Sequence, residues 1–320
     1  MISSIFEFLT GIALFLFGMS LMSGSIQKAA DDEAKVMLGK VTNNPLQGVL
    51  FGTAVTSIIQ SSSATSVMCI GFVNGGLMNL RQAKSVILGA IFGTSITGWV
   101  LCLGEIGAGK LANILSTASI TCFAAVLGTI FRMTKKEKLK IVGDVLLGFA
   151  VLMAGMSMMS DSVSSMNDNP AFLRLITDFS NPFFGILIGC IFAAVLQSAS
   201  AAVGVVQALA ATGMITFRIA LPLIIGISVG AALPVLLAAP EASENGKKAA
   251  LFYLISTLVS AVILSVVIYA ILYLCGNPFD EYVMSSWKVA LLNTVYRLLS
   301  VIVILPSLWL KEKNADDNRR

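Results

Sequence analysis

A run of hydroxyl and amide side chains begins at Gln60 and continues to Ser66, and only Ala64 interrupts it. The run lies in a segment from Pro45 to Leu80 that contains no Asp, Glu, Lys or Arg. Polar groups that are buried in an apolar surrounding cost several kcal/mol each unless they have hydrogen-bond partners. A polar ligand is a natural partner, so this run is a candidate binding site.

A second polar run, Gln197-Ser198-Ala199-Ser200, lies in another uncharged segment, from Phe179 to Phe217. It follows the first run at an offset of 137 residues, which is 197 minus 60. Further residue types recur at this offset without a gap, including Asn44-Pro45 with Asn181-Pro182, Gly52 with Gly189, Arg81 with Arg218, Gly89 with Gly226 and Gly93 with Gly230. The chain is therefore predicted to contain two copies of one structural unit.

The composition of the chain is that of a membrane protein. Of its 320 residues, 57% are hydrophobic and only 12% are charged, whereas a soluble domain has about 25% charged residues. We therefore predict an all-α polytopic protein of the cell (plasma) membrane. The net charge of +4 comes mostly from loops and the C-terminal tail, which indicates membrane orientation and not nucleic-acid binding. The chain has no His and no closely spaced Cys pair, so neither an enzyme nor a cofactor is predicted.

Each unit is predicted to contain one span, one re-entrant helical hairpin and two further spans. Hairpin arms of about 15 residues are about 22 Å long as helices, which is short for the ~30 Å hydrocarbon core. An odd number of crossings inverts the second unit relative to the first, and the total is about seven crossings. The predicted organisation is repeat 1 at 1–137 with its hairpin at 45–79, inverted repeat 2 at 138–275 with its hairpin at 182–216, and an extra C-terminal span and cytosolic tail at 276–320.

The charged loops predict the orientation of the chain. The segment from Arg132 to Lys140 contains five basic residues and is expected in the cytoplasm by the positive-inside rule. This places the N-terminus outside and the C-terminus in the cytoplasm. Gln27 to Asn44 is expected to leave the membrane, and part of the span from Ala83 to Leu103 is expected to be unwound. Ser20 and Ser23 are expected only to bond to the preceding turn or to help helices pack.

Inverted repeats with discontinuous helices are typical of secondary transporters, which bind their substrates near the midplane. Hydroxyls, amide donors and helix N-termini suit an anion, because the aligned helix dipole favours negative charge there. A cation would use hydroxyl oxygens and freed carbonyls instead. Neither hairpin carries a positively charged side chain, so a multivalent anion is expected to need co-bound cations.

These motifs resemble those of the type II sodium-phosphate cotransporter family. Each Gln-Ser run is followed by an Arg-x-Ala and a Gly-x-x-x-Gly, and the resemblance covers roughly residues 5 to 270. It implies a phosphate site formed by Gln60, Ser61, Ser62, Ser63, Gln197, Ser198 and Ser200. It also implies that sodium, as the coupling ion, is bound by Thr65, Ser66, Thr94, Ser95 and Thr97.

The second repeat lacks several of these hydroxyls, since Ala199, Ala202, Ala231 and Ala232 stand where the first repeat has Ser62, Thr65, Thr94 and Ser95. The site is therefore predicted to be asymmetric, with most of its side-chain ligands in the first repeat. The leading hypothesis is sodium-coupled symport of inorganic phosphate. The alternatives are an oxyanion exporter or exchanger without tight sodium coupling, and a regulatory membrane protein with a vestigial site. The predicted partners are phosphate, sodium and the lipid bilayer, and a homodimer is left open.

Overall fold

The described part of the protein is helical throughout. The computed structural model describes residues 2–39, 44–103, 117–166, 169 and 180–310. Within these residues, the only strand-like pairing is an isolated bridge between Thr216 and Val283. The helices described are α1 (Ile2–Gly39), α2 (Pro45–Ile59), α3 (Ser62–Asn74), α4 (Leu80–Gly93), α5 (Ser95–Cys102), α6 (Thr117–Arg132), α7 (Glu137–Ser164), α8 (Pro182–Leu196), α9 (Ala199–Ala211), α10 (Phe217–Gly230), α11 (Leu233–Leu237), α12 (Glu244–Leu274), α13 (Ser286–Ile304) and α14 (Pro306–Leu310).

Six helical segments of the described chain are long and apolar enough to cross a membrane. They are Ser3–Ala30, Leu80–Cys102, Glu137–Ser164, Phe217–Leu237, Glu244–Leu274 and Ser286–Trp309. The chain is thus an all-α, multi-pass membrane protein, as predicted. Shorter apolar helices include both arms of the second predicted hairpin, Pro182–Leu196 and Ala199–Ala211. They also include Ala118–Arg132, the described part of the last span predicted for the first repeat.

Both hairpins begin in the same way. The side chain of Asn44 accepts a hydrogen bond from the Leu46 N–H, and that of Asn181 accepts one from the Phe183 N–H. In each case proline occupies the first helical position, where its missing N–H costs no helical bond. The Asn-Pro pair therefore specifies the start of α2 and of α8.

Glycines bring each hairpin against the helix that follows it. A Cβ on Gly89 of α4 would collide with the Val49 carbonyl of α2, and a Cβ on Gly226 of α10 would collide with the Ile186 carbonyl of α8. All four positions match at the 137-residue offset. The same close packing therefore recurs in both halves of the chain, although the domain boundaries themselves stay a prediction.

The first helices of the two units also cross at glycines. Gly18 of α1 lies against the Gly148 carbonyl of α7, and Gly11 of α1 lies against the Gly155 carbonyl. Gly11 is equivalent to Gly148, and Gly18 is equivalent to Gly155, at the same offset. Equivalent residues contact each other in reverse order, as expected for two units related by an approximate two-fold axis.

The structure refines three predicted boundaries. Helix α1 continues to Gly39, because no proline interrupts it and Ala34 and Leu38 are buried. In the second span α4 ends at Gly93 and α5 begins at Ser95, while Thr94 between them keeps right-handed helical angles (φ −58°, ψ −26°), so the predicted unwinding is confined to a brief interruption of the helix. The last span is interrupted near Pro306, whose ring cannot fit within a continuing helix.

Helix α9 lies between the two hydrophobic cores. The larger core joins both hairpins to α4, α10, α12 and α13, and it includes Ala202 and Val203 of α9. The smaller core joins α1 and α7 through Phe15 and Met153, and it includes Ala201 and Val205 of α9. The second hairpin is thus held from both sides, with its tip directed at α1.

The close contact at Gly89 predicts a large effect of a small substitution. Gly89→Ala is expected to destabilise the protein by about 1 to 3 kcal/mol or more, because the new Cβ meets backbone atoms of α2 that cannot move aside. Gly71→Ala is the matched control, since Gly71 of α3 faces open space and alanine favours a helix by about 1 kcal/mol. Thermal unfolding in detergent measures both, and equal midpoints for the two variants would contradict this packing.

Candidate functional site

Each hairpin turns at a glutamine in an unusual backbone conformation. Gln60 has φ 59° and Gln197 has φ 53°, both in the left-handed region that non-glycine residues rarely adopt. The next residue then caps the second arm: Ser61 Oγ accepts from the Ala64 N–H, and Ser198 Oγ accepts from the Ala201 N–H, each at 3.2 Å. Such strain at two equivalent tips is typical of a functional site.

The two tips line one cavity of about 320 Å³. All seven residues predicted to bind phosphate contribute to its wall: Gln60, Ser61, Ser62, Ser63, Gln197, Ser198 and Ser200. The remaining lining residues are Leu16, Met19, Ser20, Ser23, Thr94, Leu196, Ala199 and Ala201. The structure therefore brings together the two polar runs that the sequence separates by 137 residues.

The electrostatics of this cavity favour a negative ligand. The first turns of α3 and α9 both contribute lining residues, so the positive ends of two helix dipoles face the same space. No acidic or basic side chain belongs to the described lining. Ser198 and Ser200 lie 3.2 Å apart between their hydroxyl oxygens, and Ser200 also contacts Met19 Sδ at 3.8 Å. Hydroxyl donors and helix N-termini together can hold an oxyanion.

Only one of the five predicted cation ligands lines the cavity. Thr94 does so, and its hydroxyl also donates to the Ala90 carbonyl at 3.1 Å. The other four lie behind the wall, fully or almost fully buried: Thr65, Ser66, Ser95 and Thr97.

Two of these buried hydroxyls are satisfied within the protein. Thr65 donates to the Ser61 carbonyl at 3.1 Å, and Ser95 donates to the Phe92 carbonyl at 2.8 Å. Among the described residues, the hydroxyls of Ser66 and Thr97 have no hydrogen-bond partner. Buried oxygens without partners suit a hard cation such as sodium. Among the described residues, no group of three or more Cys, Asp or Glu side chains could hold a metal ion.

A family model described as Na+/Pi-cotransporter matches the chain twice, over residues 14–161 and 152–292. The chain belongs to the Na+/Pi-cotransporter family. The two matches correspond closely to the two halves that carry the equivalent hairpins, and together they contain every lining residue of the cavity.

Among three relatives of the chain, two carry names that concern phosphate. YqeW of Bacillus subtilis, an uncharacterised protein, is 24% identical over 92% of both chains. YjbB of Salmonella typhimurium, named as a proposed inorganic phosphate export protein, is 23% identical over 95% of this chain and 53% of its own length. Human sodium-dependent phosphate transport protein 2B is 30% identical over 29% of this chain and 14% of its own length. The chain thus spans about half of YjbB. No solved structure matches it.

Ser20 and Ser23 were expected only to pack, and the structure corrects that expectation. Both line the cavity from α1. Their equivalents, Ser157 and Ser160 of α7, do not line it, and Ser160 instead donates to the Ala208 carbonyl. The repeated Met-Ser-x-Met-Ser pattern was visible in the sequence, but the face that each copy presents depends on the tertiary packing.

Arg297 near the middle of α13 was also missed. Its side chain is fully buried, and it donates to Asn293 Oδ1 at 2.9 Å and to the Ile91 carbonyl at 3.1 Å. This span was predicted from the mean hydropathy of its residues, which a single arginine hardly changes. A charged residue inside a membrane span is itself a signal of function, because burial of that charge is expensive.

The backbone at Gln60 predicts opposite effects on stability and binding. Gln60→Gly is expected to stabilise the protein by about 1 kcal/mol, because glycine adopts positive φ without steric cost. The same change removes an amide that lines the cavity, so anion affinity is expected to fall about five-fold or more. Gln60→Ala removes the amide and keeps the strain. The two variants should bind equally weakly and differ in unfolding temperature, and tight binding by either would exclude the amide as a ligand.

Proposed function

We propose that the chain carries inorganic phosphate across the membrane by symport with sodium. The observation that carries this proposal is the single cavity into which two helix N-termini and their serine and glutamine side chains project from equivalent hairpins. The phosphate ligands in this proposal are Gln60, Ser61, Ser62, Ser63, Gln197, Ser198 and Ser200. Membership of the Na+/Pi-cotransporter family supports the choice of phosphate over other oxyanions.

Sodium is proposed because the hydrogen-bond donors of the cavity do not neutralise a multivalent anion. Dipoles and hydroxyls contribute partial charges, and a desolvated phosphate carries one or two full charges. The proposed sodium ligands are Thr65, Ser66, Thr94, Ser95 and Thr97, of which Thr94 faces the cavity and Ser66 and Thr97 retain free oxygens among the described residues. The name of the human relative, a sodium-dependent phosphate transport protein, agrees with this coupling.

A second candidate is export or exchange of phosphate without tight sodium coupling. The name of YjbB concerns phosphate export, and that protein matches nearly all of this chain. The alanines at 231 and 232 also remove hydroxyls that a symmetric pair of cation sites would use. The two candidates share the anion site and differ in what drives the flux.

Uptake of radiolabelled phosphate into proteoliposomes separates these candidates. With an inward sodium gradient, symport predicts uptake that stops when the gradient is collapsed by a sodium ionophore. Flux that is indifferent to sodium would favour the exporter or exchanger. Absence of flux in both conditions, from protein that is monodisperse after reconstitution, would overturn both candidates. The remaining hypothesis would then be a regulatory membrane protein with a vestigial site.

The orientation is proposed from the charge distribution. The loop that contains Lys136 is expected in the cytoplasm, and the turn that contains Glu281 is expected outside. In a background without the five native cysteines, Lys136→Cys should react with an impermeant thiol reagent only after the cells are permeabilised. Glu281→Cys should react in intact cells. The reverse pattern would invert the proposed topology.

A further inference from the structure

Arg297 carries a positive charge in the interior of the protein, near the middle of the span Ser286–Trp309. No carboxylate of the described chain forms an ion pair with it, and its Nη2 atom has no hydrogen-bond partner there. A buried charge without a counter-charge is strongly unfavourable unless something else compensates for it. We therefore expect a negatively charged group near this buried arginine.

The guanidinium lies at the break between α4 and α5. It donates to the Ile91 carbonyl, one of the last carbonyls of α4, which ends at Gly93. Carbonyls at the end of a helix have no partner within it, and the helix dipole makes that end negative. In transporters with broken helices, such ends commonly coordinate the coupling cation. Arg297 thus occupies the kind of position in which a sodium ion is otherwise expected.

This position is close along the chain to the cavity wall, because Ile91 precedes Thr94 by three residues. Thr94, which follows the end of α4, lines the cavity. On the other side, the hydroxyl of Tyr253 lies 3.3 Å from Ser62 Oγ, and Ser62 lines the cavity as well. Tyr253 is fully buried. Arg297 therefore bonds to a carbonyl about one helical turn before Thr94, a residue of the wall that the first repeat supplies.

We propose that Arg297 is the resident cation of the anion site. This inference rests on the proposed binding of phosphate in the cavity. The fixed guanidinium attracts the bound anion through the wall and supplies a charge that one sodium ion would otherwise have to supply. The anion is in turn the missing counter-charge of Arg297. Phosphate binding to the parent chain is consequently expected to persist, at reduced affinity, in sodium-free choline buffer.

A purely structural role for Arg297 makes different predictions. In that case the residue only ties α13 to α4 through the Ile91 carbonyl, and its replacement would lower stability and affinity without changing the dependence on sodium. Asn293→Asp distinguishes the two roles. The new carboxylate would take the place of the amide beside Arg297 and neutralise its charge, and the Asn293 Nδ2 atom has no partner in the described chain that would be lost. A structural role predicts that this variant binds phosphate as the parent does.

The test is binding of radiolabelled inorganic phosphate to the purified full chain over a series of sodium concentrations. Arg297→Met and Asn293→Asp are expected to weaken binding roughly tenfold at low sodium, equivalent to about 1.4 kcal/mol, with the difference narrowing as sodium rises. Arg297→Lys keeps the charge and is expected to stay within about threefold of the parent. Lys288→Gln is the control, because it removes the same charge from the first turn of α13, far along the helix from Arg297.

The outcomes separate this inference from the proposed function. Parent-like affinity and sodium dependence in both Arg297→Met and Asn293→Asp would overturn the inference and leave phosphate binding intact. Absence of phosphate binding by the folded parent at every sodium concentration would overturn the proposed function and the inference with it. If Arg297→Met aggregates on size-exclusion chromatography, Asn293→Asp decides alone, since it keeps the arginine and its contacts.

Discussion

Ser62→Ala is expected to weaken sodium-dependent phosphate binding by roughly five- to a hundred-fold. Ser62 begins α3, is almost completely buried and lines the cavity beside the positive end of that helix. A hydroxyl contact is worth about 1 kcal/mol, or about 1.5 to 3 kcal/mol when the ligand is charged, and the alanine variant loses it. The change removes one oxygen atom, so the folded structure is expected to persist.

Ala199→Ser is the matched variant in the second repeat, because Ala199 begins α9 at the position equivalent to Ser62. It restores the symmetric motif and is expected to keep or tighten phosphate binding. Binding isotherms for both variants and the parent test the predicted asymmetry. If Ser62→Ala binds like the parent and Ser198→Ala does not, the ligands lie chiefly in the second repeat and the assignment is wrong.

Ala199→Asp is expected to abolish phosphate binding, with a loss of at least about a hundred-fold. Ala199 is buried in the cavity wall, so the new carboxylate would face the bound anion, and close like charges cost several kcal/mol. An acidic residue in the first turn of a helix is favourable for the helix itself. This dipole effect of about 0.3 to 1 kcal/mol only partly offsets the cost of burying a charge, so some loss of stability is expected as well.

Ala199→Asn controls for the size of the new side chain, since it has the same shape without the charge. It is expected to lose much less affinity than Ala199→Asp, and the unfolding temperature of each variant reports on folding. Equal losses in the aspartate and asparagine variants would show that space, and not charge, limits the ligand. Such a result would remove the main electrostatic argument for an anion site.

The local features of the hairpins could be predicted from the sequence because their signals are local. Asn44-Pro45 and Asn181-Pro182 specify helix starts through one cap and one fixed φ angle. The Gln-Ser pairs mark the turns, and the glycines at the 137-residue offset mark the close packing. The seven predicted phosphate ligands are the tip residues of these two hairpins, and it is the inverted repeat that predicts their meeting at one cavity.

The remaining features depend on contacts between distant segments. The sequence does not show that the Arg297 side chain reaches the Ile91 carbonyl, because the two residues lie on helices that meet only in the folded protein. Ser20 and Ser157 occupy equivalent positions, but only Ser20 faces the cavity, since α1 and α7 pack differently against α9. The burial of Thr65 and Ser95 behind the wall likewise depends on the hairpin packing, so spacing alone could not separate them from Thr94.

If both hairpin tips hold one phosphate ion, an electron cryomicroscopy map of the full chain with saturating phosphate and sodium should show it. We expect density for a tetrahedral anion in the cavity, within hydrogen-bonding distance of side chains or N–H groups from both Gln60–Ser63 and Gln197–Ser200. A well-resolved cavity without such density, or an anion bound at another place in the protein, would contradict it.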